Sequence, residues 1–413
     1  MNKKVIYLNN GIELIMMNTN KFKTVNVTVF FEDELNDFNV TCDNLLIKLL
    51  TSKTEKHTSR KEFKSYLKDL YDMKINSFKD TPGERFMFSL NTDSINKKYS
   101  INDENLLEKQ FEVLNEVLYC PLVSANKFDE AHFKEEKNLY KQILLDRENY
   151  KENIVAKKIN NILGKDNKTF VLSSGYIDVL DSITNEKVYD KYLKLNSMCK
   201  RIVVCGEIDF DEVVCYVNKY FDFESCRSEF NNLYKNDMKK YDDYSFDSKF
   251  GQSSIGVMYD LDIYVGDELY YPACVFIEMF NHYLFKIVRE EHNFCYSIYI
   301  SYIASRGIGL LQSNIEAKNY DMTLKLIGDI VNDLKNNIDE KVLNICRDKI
   351  INSIRKEIDN PIKMTIKECQ RSMYDLKDAE TVINICKNVT GDQVKQVASK
   401  LEKKFSIILK EGQ

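Results

Sequence analysis

Leu284-Phe285-Lys286-Ile287-Val288-Arg289-Glu290-Glu291-His292-Asn293-Phe294-Cys295-Tyr296-Ser297-Ile298 is the stretch on which the reading of this chain turns. An apolar helical pattern that starts near residue 267 ends close to Arg289. A strand begins near Phe294, with Tyr296, Ile298, Ile300 and Tyr302 expected on one face because side chains alternate along a strand. Arg289 and Tyr296 therefore fall on the two sides of one short turn. A guanidinium and a phenol held there could hydrogen-bond a peptide carbonyl or a developing oxyanion. The same residues also suit a plainer arrangement, in which Arg289 caps a helix C-terminus and Tyr296 packs on a sheet. Spacing alone favours the plainer arrangement.

Working outward from this stretch, the second half carries a strand at 253–259, the long helix, strands near 294–303 and 308–315, and five helices around 320–336, 339–357, 361–375, 378–388 and 391–402. Gly307-Ile308-Gly309 reads as a tight turn between strands. Thr390 and Gln393 fit a capping box, and Phe405–Leu409 closes as a strand. The first half follows a similar order. A hairpin spans 4–17 around Asn9-Asn10-Gly11, and a strand follows at Val25–Phe31. A helix spans 40–51, and Ser59 with Glu62 caps the next helix. Strands near 73–78 and 84–92, two long helices, a strand at Arg201–Cys205 and a helix near 209–220 complete it. Residues 222–250 are rich in Asp, Lys, Asn, Ser and Tyr and read as a linker. The expectation is an α+β chain of two similar units, 1–221 and 251–413, each an antiparallel-rich sheet packed with helices.

Composition excludes several function classes. The 413 residues are 44% hydrophobic and 30% charged with a net charge of −5, which argues against a dedicated nucleic-acid binder. No run approaches the roughly 20 apolar residues that cross a bilayer, so no membrane partner is expected. The N-terminal apolar run is too short for a signal peptide. The 11 cysteines are odd in number and form no C-x-x-C pair, which suits a reducing, cytoplasmic setting. The four histidines, His57, His132, His282 and His292, never lie three or four apart, so no helical zinc pair exists. There is no G-x-S-x-G elbow and no glycine-rich phosphate loop.

The 284–298 segment resembles the L-F-x-x-(I/V)-R-E…(A/C)-Y-S block of insulinase/pitrilysin-type (inverzincin) zinc peptidases. Leu67-Lys68-Asp69-Leu70-Tyr71-Asp72, Tyr264-Val265-Gly266-Asp267-Glu268-Leu269-Tyr270-Tyr271 and Ile315-Glu316-Ala317-Lys318-Asn319-Tyr320-Asp321 extend the likeness over nearly the whole chain, toward the metal-free YmfF-like subgroup. The resemblance implies α/β-roll domains forming half a clamshell. It also implies that Arg289 and Tyr296 bind substrate and support the tetrahedral intermediate. Where the family carries its inverted zinc motif H-x-x-E-H, this chain has Asn44, Ile47 and Lys48, and the third ligand falls near Lys141-Gln142. The glycine-rich run before Leu284-Phe285 is reduced to Phe280-Asn281-His282-Tyr283. No zinc of its own and no independent peptidase activity are therefore expected.

In such pairs a zinc-bearing, YmfH-like subunit supplies His, Glu and metal, and the metal-free subunit supplies Arg289, Tyr296 and chamber wall, with a peptide or protein as substrate. The alternative is a non-proteolytic binding or scaffold protein in elongation factor P modification or peptide maturation.

Overall fold

The Asn9-Asn10-Gly11 turn forms as the sequence expects. Gly11 takes φ +82°, an angle that residues with a Cβ rarely adopt. The Asn10 side chain accepts from the Ile12 N–H at 3.2 Å. β1 (Asn2–Tyr7) then pairs antiparallel with β2 (Glu13–Asn18). The structure is a computed structural model that describes residues 1–148, 150–164, 167–225, 230–235, 238–247 and 251–411.

The first sheet continues with β3 (Thr24–Glu34), β4 (Lys74–Asn76), β5 (Lys79–Asp80) and β6 (Arg85–Ile95). A small separate hairpin, β7 (Val123–Ser124) and β8 (Lys127–Phe128), precedes its last strand, β9 (Cys199–Gly206). The strand order is β1-β2-β9-β3-β6-β4, with β5 beside β6. Helices α1 (Asp37–Ser52), α2 (Arg60–Asp69), α3 (Leu106–Tyr119) and α4 (Glu130–Arg147) come first. They are followed by α5 (Lys151–Leu163), α6 (Ile177–Ser182), α7 (Asn185–Leu193), α8 (Leu195–Met198) and α9 (Phe210–Tyr220). Ser59 and Glu62 make the reciprocal capping box at the start of α2.

The second sheet is built from β10 (Tyr244–Asp247), β11 (Ser253–Asp260), β12 (Cys295–Ile303), β13 (Ile308–Ile315) and β14 (Glu402–Lys410), in the order β10-β14-β11-β13-β12. Its helices are α10 (Tyr270–Tyr283), α11 (Tyr320–Asn336), α12 (Glu340–Glu357), α13 (Pro361–Tyr374), α14 (Ala379–Lys387) and α15 (Gly391–Lys400).

The two sheets repeat one plan. In the first, β2 runs parallel to β9, β9 antiparallel to β3, β3 to β6 and β6 to β4. In the second, β10 runs parallel to β14, β14 antiparallel to β11, β11 to β13 and β13 to β12. β10 is thus the counterpart of β2, although it lies in the stretch expected to be a linker. It pairs from Tyr244↔Ile407 to Asp247↔Lys410. Residues 226–229, 236–237 and 248–250 of that stretch lie outside the described residues.

Packing divides the chain into two units. One comprises Met1–Asn149, Val171–Asn231 and Glu357–Ser372; the other comprises Tyr150–Phe170, Asn232–Lys356 and Met373–Gln413. The sequence order of halves therefore misses two exchanges. α5 packs with the second unit, and most of α13 packs with the first.

This exchange explains why β2 is buried along almost its whole length. Leu14 and Met16 point into a core with Leu45 and Leu49 of α1 and Phe111 and Leu114 of α3. Ile15 and Met17, on the opposite face, pack with Phe30, Met87, Val203 and Met364 and Cys369 of α13. A strand covered on both faces reads as a continuous apolar run. At the same face of this sheet, buried charges are paired. Arg201 meets Glu13 at 3.0 Å and Glu32 at 2.8 Å, and Arg85 meets Glu32 at 2.6 Å.

In the second unit, Ile255 and Val257 of β11, Ile298 and Ile300 of β12 and Leu311 of β13 pack on Phe276 and Phe280 of α10, Ile327 of α11 and Val394 and Val397 of α15. α10 therefore lies against the inner face of the strand that follows it.

Candidate functional site

The stretch 284–298 forms where α10 gives way to β12, in the second unit. The chain stays helical beyond Tyr283, but Leu284–Glu291 winds as a π-helix. Its hydrogen bonds reach five residues instead of four, so each residue turns through a smaller angle than in an α-helix. Leu284 and Val288 remain fully buried. Phe285, four residues before Arg289, is 40% exposed, and Arg289 is half-buried. Past the last helical residue, Glu291, the chain turns at Asn293, which takes φ +54°. Its N–H donates to the Arg289 carbonyl at 3.0 Å, and the Phe294 N–H donates to the Val288 carbonyl at 3.1 Å. The helix thus ends two residues beyond the point that the sequence suggested, and in a different winding.

β12 opens with an irregularity. Cys295 pairs with Ile315 and Ile298 with Ser313, so Tyr296 and Ser297 together face the single residue Asn314. This is a β-bulge, which breaks the alternation of side chains and re-aims one of them. Cys295, Ile298 and Ile300 point into the core, while Tyr296 and Ser297 are both exposed. The expected single face of Tyr296, Ile298, Ile300 and Tyr302 is therefore corrected. Tyr296 is 81% exposed and does not pack on the sheet. The extra residue of the bulge turns it outward.

Arg289 and Tyr296 meet. The guanidinium carbon lies over the Tyr296 ring at 5.1 Å from its centroid and over the Phe285 ring at 4.5 Å. These are cation–π distances. Among the described residues, no carboxylate or carbonyl pairs with the Arg289 side chain. By contrast, the guanidiniums of Arg60, Arg85, Arg201 and Arg371 each meet a carboxylate. Arg289 thus keeps its hydrogen-bonding edge open while aromatic rings fix its position.

The outer edge of β12 is closed one step further along. β12 is the last strand of its sheet, so alternate residues present backbone N–H and C=O groups to no further strand. At Ile300 the side chain of Asn281 takes that place. Its Oδ1 accepts from the Ile300 N–H at 2.7 Å, and its Nδ2 donates to the Ile300 carbonyl at 3.1 Å. Asn281 sits in the run where the resembled family is glycine-rich. A glycine there could not make this closure.

Asn44, Ile47 and Lys48, which the resemblance aligns with the zinc motif, lie on α1, in the first unit. Asn44 is buried, and its Nδ2 donates to the carbonyls of Val40 at 2.7 Å and Ser173 at 2.9 Å. Ile47 belongs to the apolar core. Lys48 is half-buried, and its ammonium lies 5.6 Å from the centroid of the Tyr140 ring. Burial pulls the Lys48 ammonium below its ordinary range, and the nearby Glu136 carboxylate only partly offsets this. Lys141, where a third ligand was expected, instead pairs at the surface with Asp181 at 2.7 Å.

The residue of α4 that faces Lys48 is Tyr140, which spacing did not single out. Its hydroxyl donates to the Ser174 carbonyl at 2.6 Å. Thr41 accepts from the Tyr176 N–H at 3.1 Å, and the Tyr176 hydroxyl accepts from the Leu172 N–H at 2.8 Å. A Cβ on Gly175, at φ +84°, would run into the Tyr140 hydroxyl. Asn44, Thr41 and Tyr140 therefore grip the 172–176 loop. An amide, an isoleucine and an ammonium do not fit a zinc ion, which needs imidazole, carboxylate or thiolate donors. Among the described residues, no group of three His, Cys, Asp or Glu is arranged to hold a metal.

Comparison with known proteins agrees with this architecture. Residues 186–350 match the family described as Peptidase M16 inactive domain. The chain is 24% identical over 332 residues to the "Probable inactive metalloprotease YmfF" of Bacillus subtilis, covering 79% of this chain and 78% of that protein. A conserved protein from Enterococcus faecalis V583 superposes with a TM-score of 0.91 at 22% identity, covering 100% of this chain and 99% of that one. A peptidase M16 inactive domain from Pseudomonas fluorescens does so with a TM-score of 0.81 at 13% identity, covering 100% and 98%. With Asn44, Thr41 and Tyr140 clamping a loop where the resemblance would put metal ligands, the chain is similar to the inactive, YmfF-like proteins of the M16, insulinase-like peptidase family.

Proposed function

We propose that this chain is the zinc-free subunit of a two-chain insulinase-type peptidase, in which a zinc-bearing, YmfH-like subunit carries the metal and the general base. This chain contributes Arg289, Tyr296 and part of the chamber wall. The observation that carries the reading is the Arg289–Tyr296 pair, placed together with an exposed phenol and an unpaired guanidinium. The pair resembles the substrate-contacting pair of the family, while Asn44, Ile47 and Lys48 stand where zinc chemistry would be. Peptide hydrolysis needs a Lewis acid to activate water and donors to receive the oxyanion. Two chains can divide these tasks when their interface fixes the geometry. The described cysteines all carry free thiols, which suits a cytoplasmic complex.

The test is co-expression with a zinc-bearing homologue encoded beside this gene, followed by a peptide-cleavage assay. Activity requires both chains. Arg289→Ala lowers turnover by about 10²–10³-fold, the loss typical of one oxyanion donor, and Tyr296→Phe lowers it as well. Cleavage unchanged by both substitutions would refute the role. No cleavage by the two chains together would instead favour the non-proteolytic binding or scaffold role.

A further inference from the structure

β5 has only two residues, and a strand points them to opposite faces of the sheet. Asp80 stands opposite Met87, which packs with Phe78 in the core that α13 covers, and Gln370 of α13 donates to Asp80 at 3.4 Å. Lys79 stands opposite Phe88, which packs in the other core with Leu45 and Leu49 of α1. Residues directly opposite on paired strands share a face. The Lys79 side chain therefore leaves the sheet on the α1 side, and Lys48 of α1 is close enough to act on it. Burial, with the charges of Lys48 and Arg147 added, brings the Lys79 ammonium down to about 8.

A second observation is that neither ammonium has a counter-ion. Lys48 and Lys79 are both half-buried, and among the described residues no carboxylate forms an ion pair with either. Elsewhere in the same unit, Lys191 pairs with Asp33 and Lys53 with Glu135. Glu136, the carboxylate that acts on Lys48, is itself engaged by Arg60 and His132. Two like charges drawn partly out of water with no anion between them cost a fold stability. An anion supplied from outside would satisfy both.

From two unpartnered ammoniums on one side of the first sheet, one from α1 and one from β5, we infer that Lys48 and Lys79 form a receptor for a carboxylate of a peptide. This rests on the reading that the chain faces a peptide, and it adds the charge that the peptide carries. At Lys48, the residue that the resemblance aligns with a zinc ligand attracts an anion instead of a cation. An ammonium is a point charge with three rotatable donors and imposes no bidentate plane. The pair therefore accepts a carboxylate from an acidic side chain or from a chain end.

The experiment uses the full chain and three degenerate octapeptide pools, each labelled at the N-terminus with an uncharged dye and otherwise free of Asp and Glu. The neutral pool is amidated and has Gln at one fixed position. The second is amidated and has Glu there. The third has Gln there and ends in a free acid. Binding is read by fluorescence anisotropy. At least one acid pool is expected to bind about 10-fold more tightly than the neutral pool, and the pool that does so identifies the source of the carboxylate. That factor is the lower end for a hydrogen bond to a charged group, because both ammoniums stay partly in water. The net charge of −5 biases any non-specific preference the other way. Lys48→Met and Lys79→Met each remove most of the preference, whereas Arg289→Ala weakens every pool and leaves it. In urea neither methionine variant unfolds earlier than the wild type, since each loses only an uncompensated charge.

Equal binding of the three pools, all weakened alike by Arg289→Ala, would overturn the carboxylate inference and leave the peptide-contact reading standing. An acid preference that survives both methionine substitutions would do the same. Earlier unfolding of both methionine variants would assign the two lysines to the fold and overturn the inference. Binding indifferent both to the carboxylate and to Arg289→Ala, or no binding at all, would overturn the inference and the reading beneath it.

Discussion

Replacing Asn281 by alanine strips the outer edge of β12 of two hydrogen bonds at once. The Ile300 N–H loses an acceptor at 2.7 Å and the Ile300 carbonyl loses a donor at 3.1 Å. Each such bond contributes about 0.5–1.5 kcal/mol net, so the pair is worth about 1–3 kcal/mol. That corresponds to a change of about 5- to 150-fold in the local opening equilibrium. The effect is local, because a chain of two units does not unfold in a single step. Hydrogen–deuterium exchange read at single-residue level is the suitable assay. The Ile300 amide should exchange faster in Asn281→Ala by that factor. Tyr299 and Ser301, whose groups face β13 opposite Gln312 and Leu310, should keep their protection. Asn281→Asp retains an acceptor for the N–H and loses the donor, so it should fall between the two. An exposed strand edge also invites pairing with another chain, and Asn281→Ala should show more self-association by size-exclusion chromatography. Equal exchange at Ile300 in the wild type and the alanine variant would refute the proposed closure.

Further outcomes follow from other parts of the molecule. Arg201→Ala leaves Glu13 buried without a cationic partner and Glu32 with Arg85 alone, and should destabilise the first unit by about 3–5 kcal/mol in urea unfolding; a loss below about 1 kcal/mol would contradict the assignment of a buried network. Gly175→Ala forces a Cβ onto the Tyr140 hydroxyl at a positive φ, and should cost more than about 1 kcal/mol and loosen protection at Tyr176. Asp43 is fully buried 3.9 Å from the Lys191 ammonium with no hydrogen bond to either oxygen, and desolvation pushes its carboxyl well above the usual carboxylate range, against the pull of Lys191. A folded-state value that is raised means stability is fully present below the unfolded value and is lost as pH rises through the folded one. Asp43→Asn should therefore stabilise the first unit at pH 7.5 and give a smaller gain near pH 4; a gain independent of pH would refute this.

Where local chemistry decides the backbone, the residues announce it. Asn9-Asn10-Gly11 marks its turn, Ser59 with Glu62 and Thr390 with Gln393 mark helix starts, and the spacing of Arg289 and Tyr296 brings them to one junction. Distant partners leave no such mark. Tyr244–Asp247 looks like linker because its pairing partner lies at 407–410. The second core under β2 is invisible until α13 is placed against it. The bulge at Tyr296-Ser297 is set by register against β13, which alternation cannot foresee. The π-helical winding of 284–291 carries an apolar pattern that an α-helix would also fit. Tyr140 was missed for a related reason. It takes its meaning from Lys48 and the 172–176 loop, which are far from it in sequence.

The exchange of α5 and α13 limits how such a protein can be divided. A backbone cut between Asn231 and Asn232 would yield no autonomous piece. The N-terminal fragment would expose Ile15, Met17 and Met87 to water because their roof travels with the other fragment, and it would carry α5 away from the sheet that α5 belongs to. Each fragment made alone should aggregate, and only both made together should reassemble. Exchanging either half alone for that of a relative would therefore also have to rebuild the packing of α5 or α13.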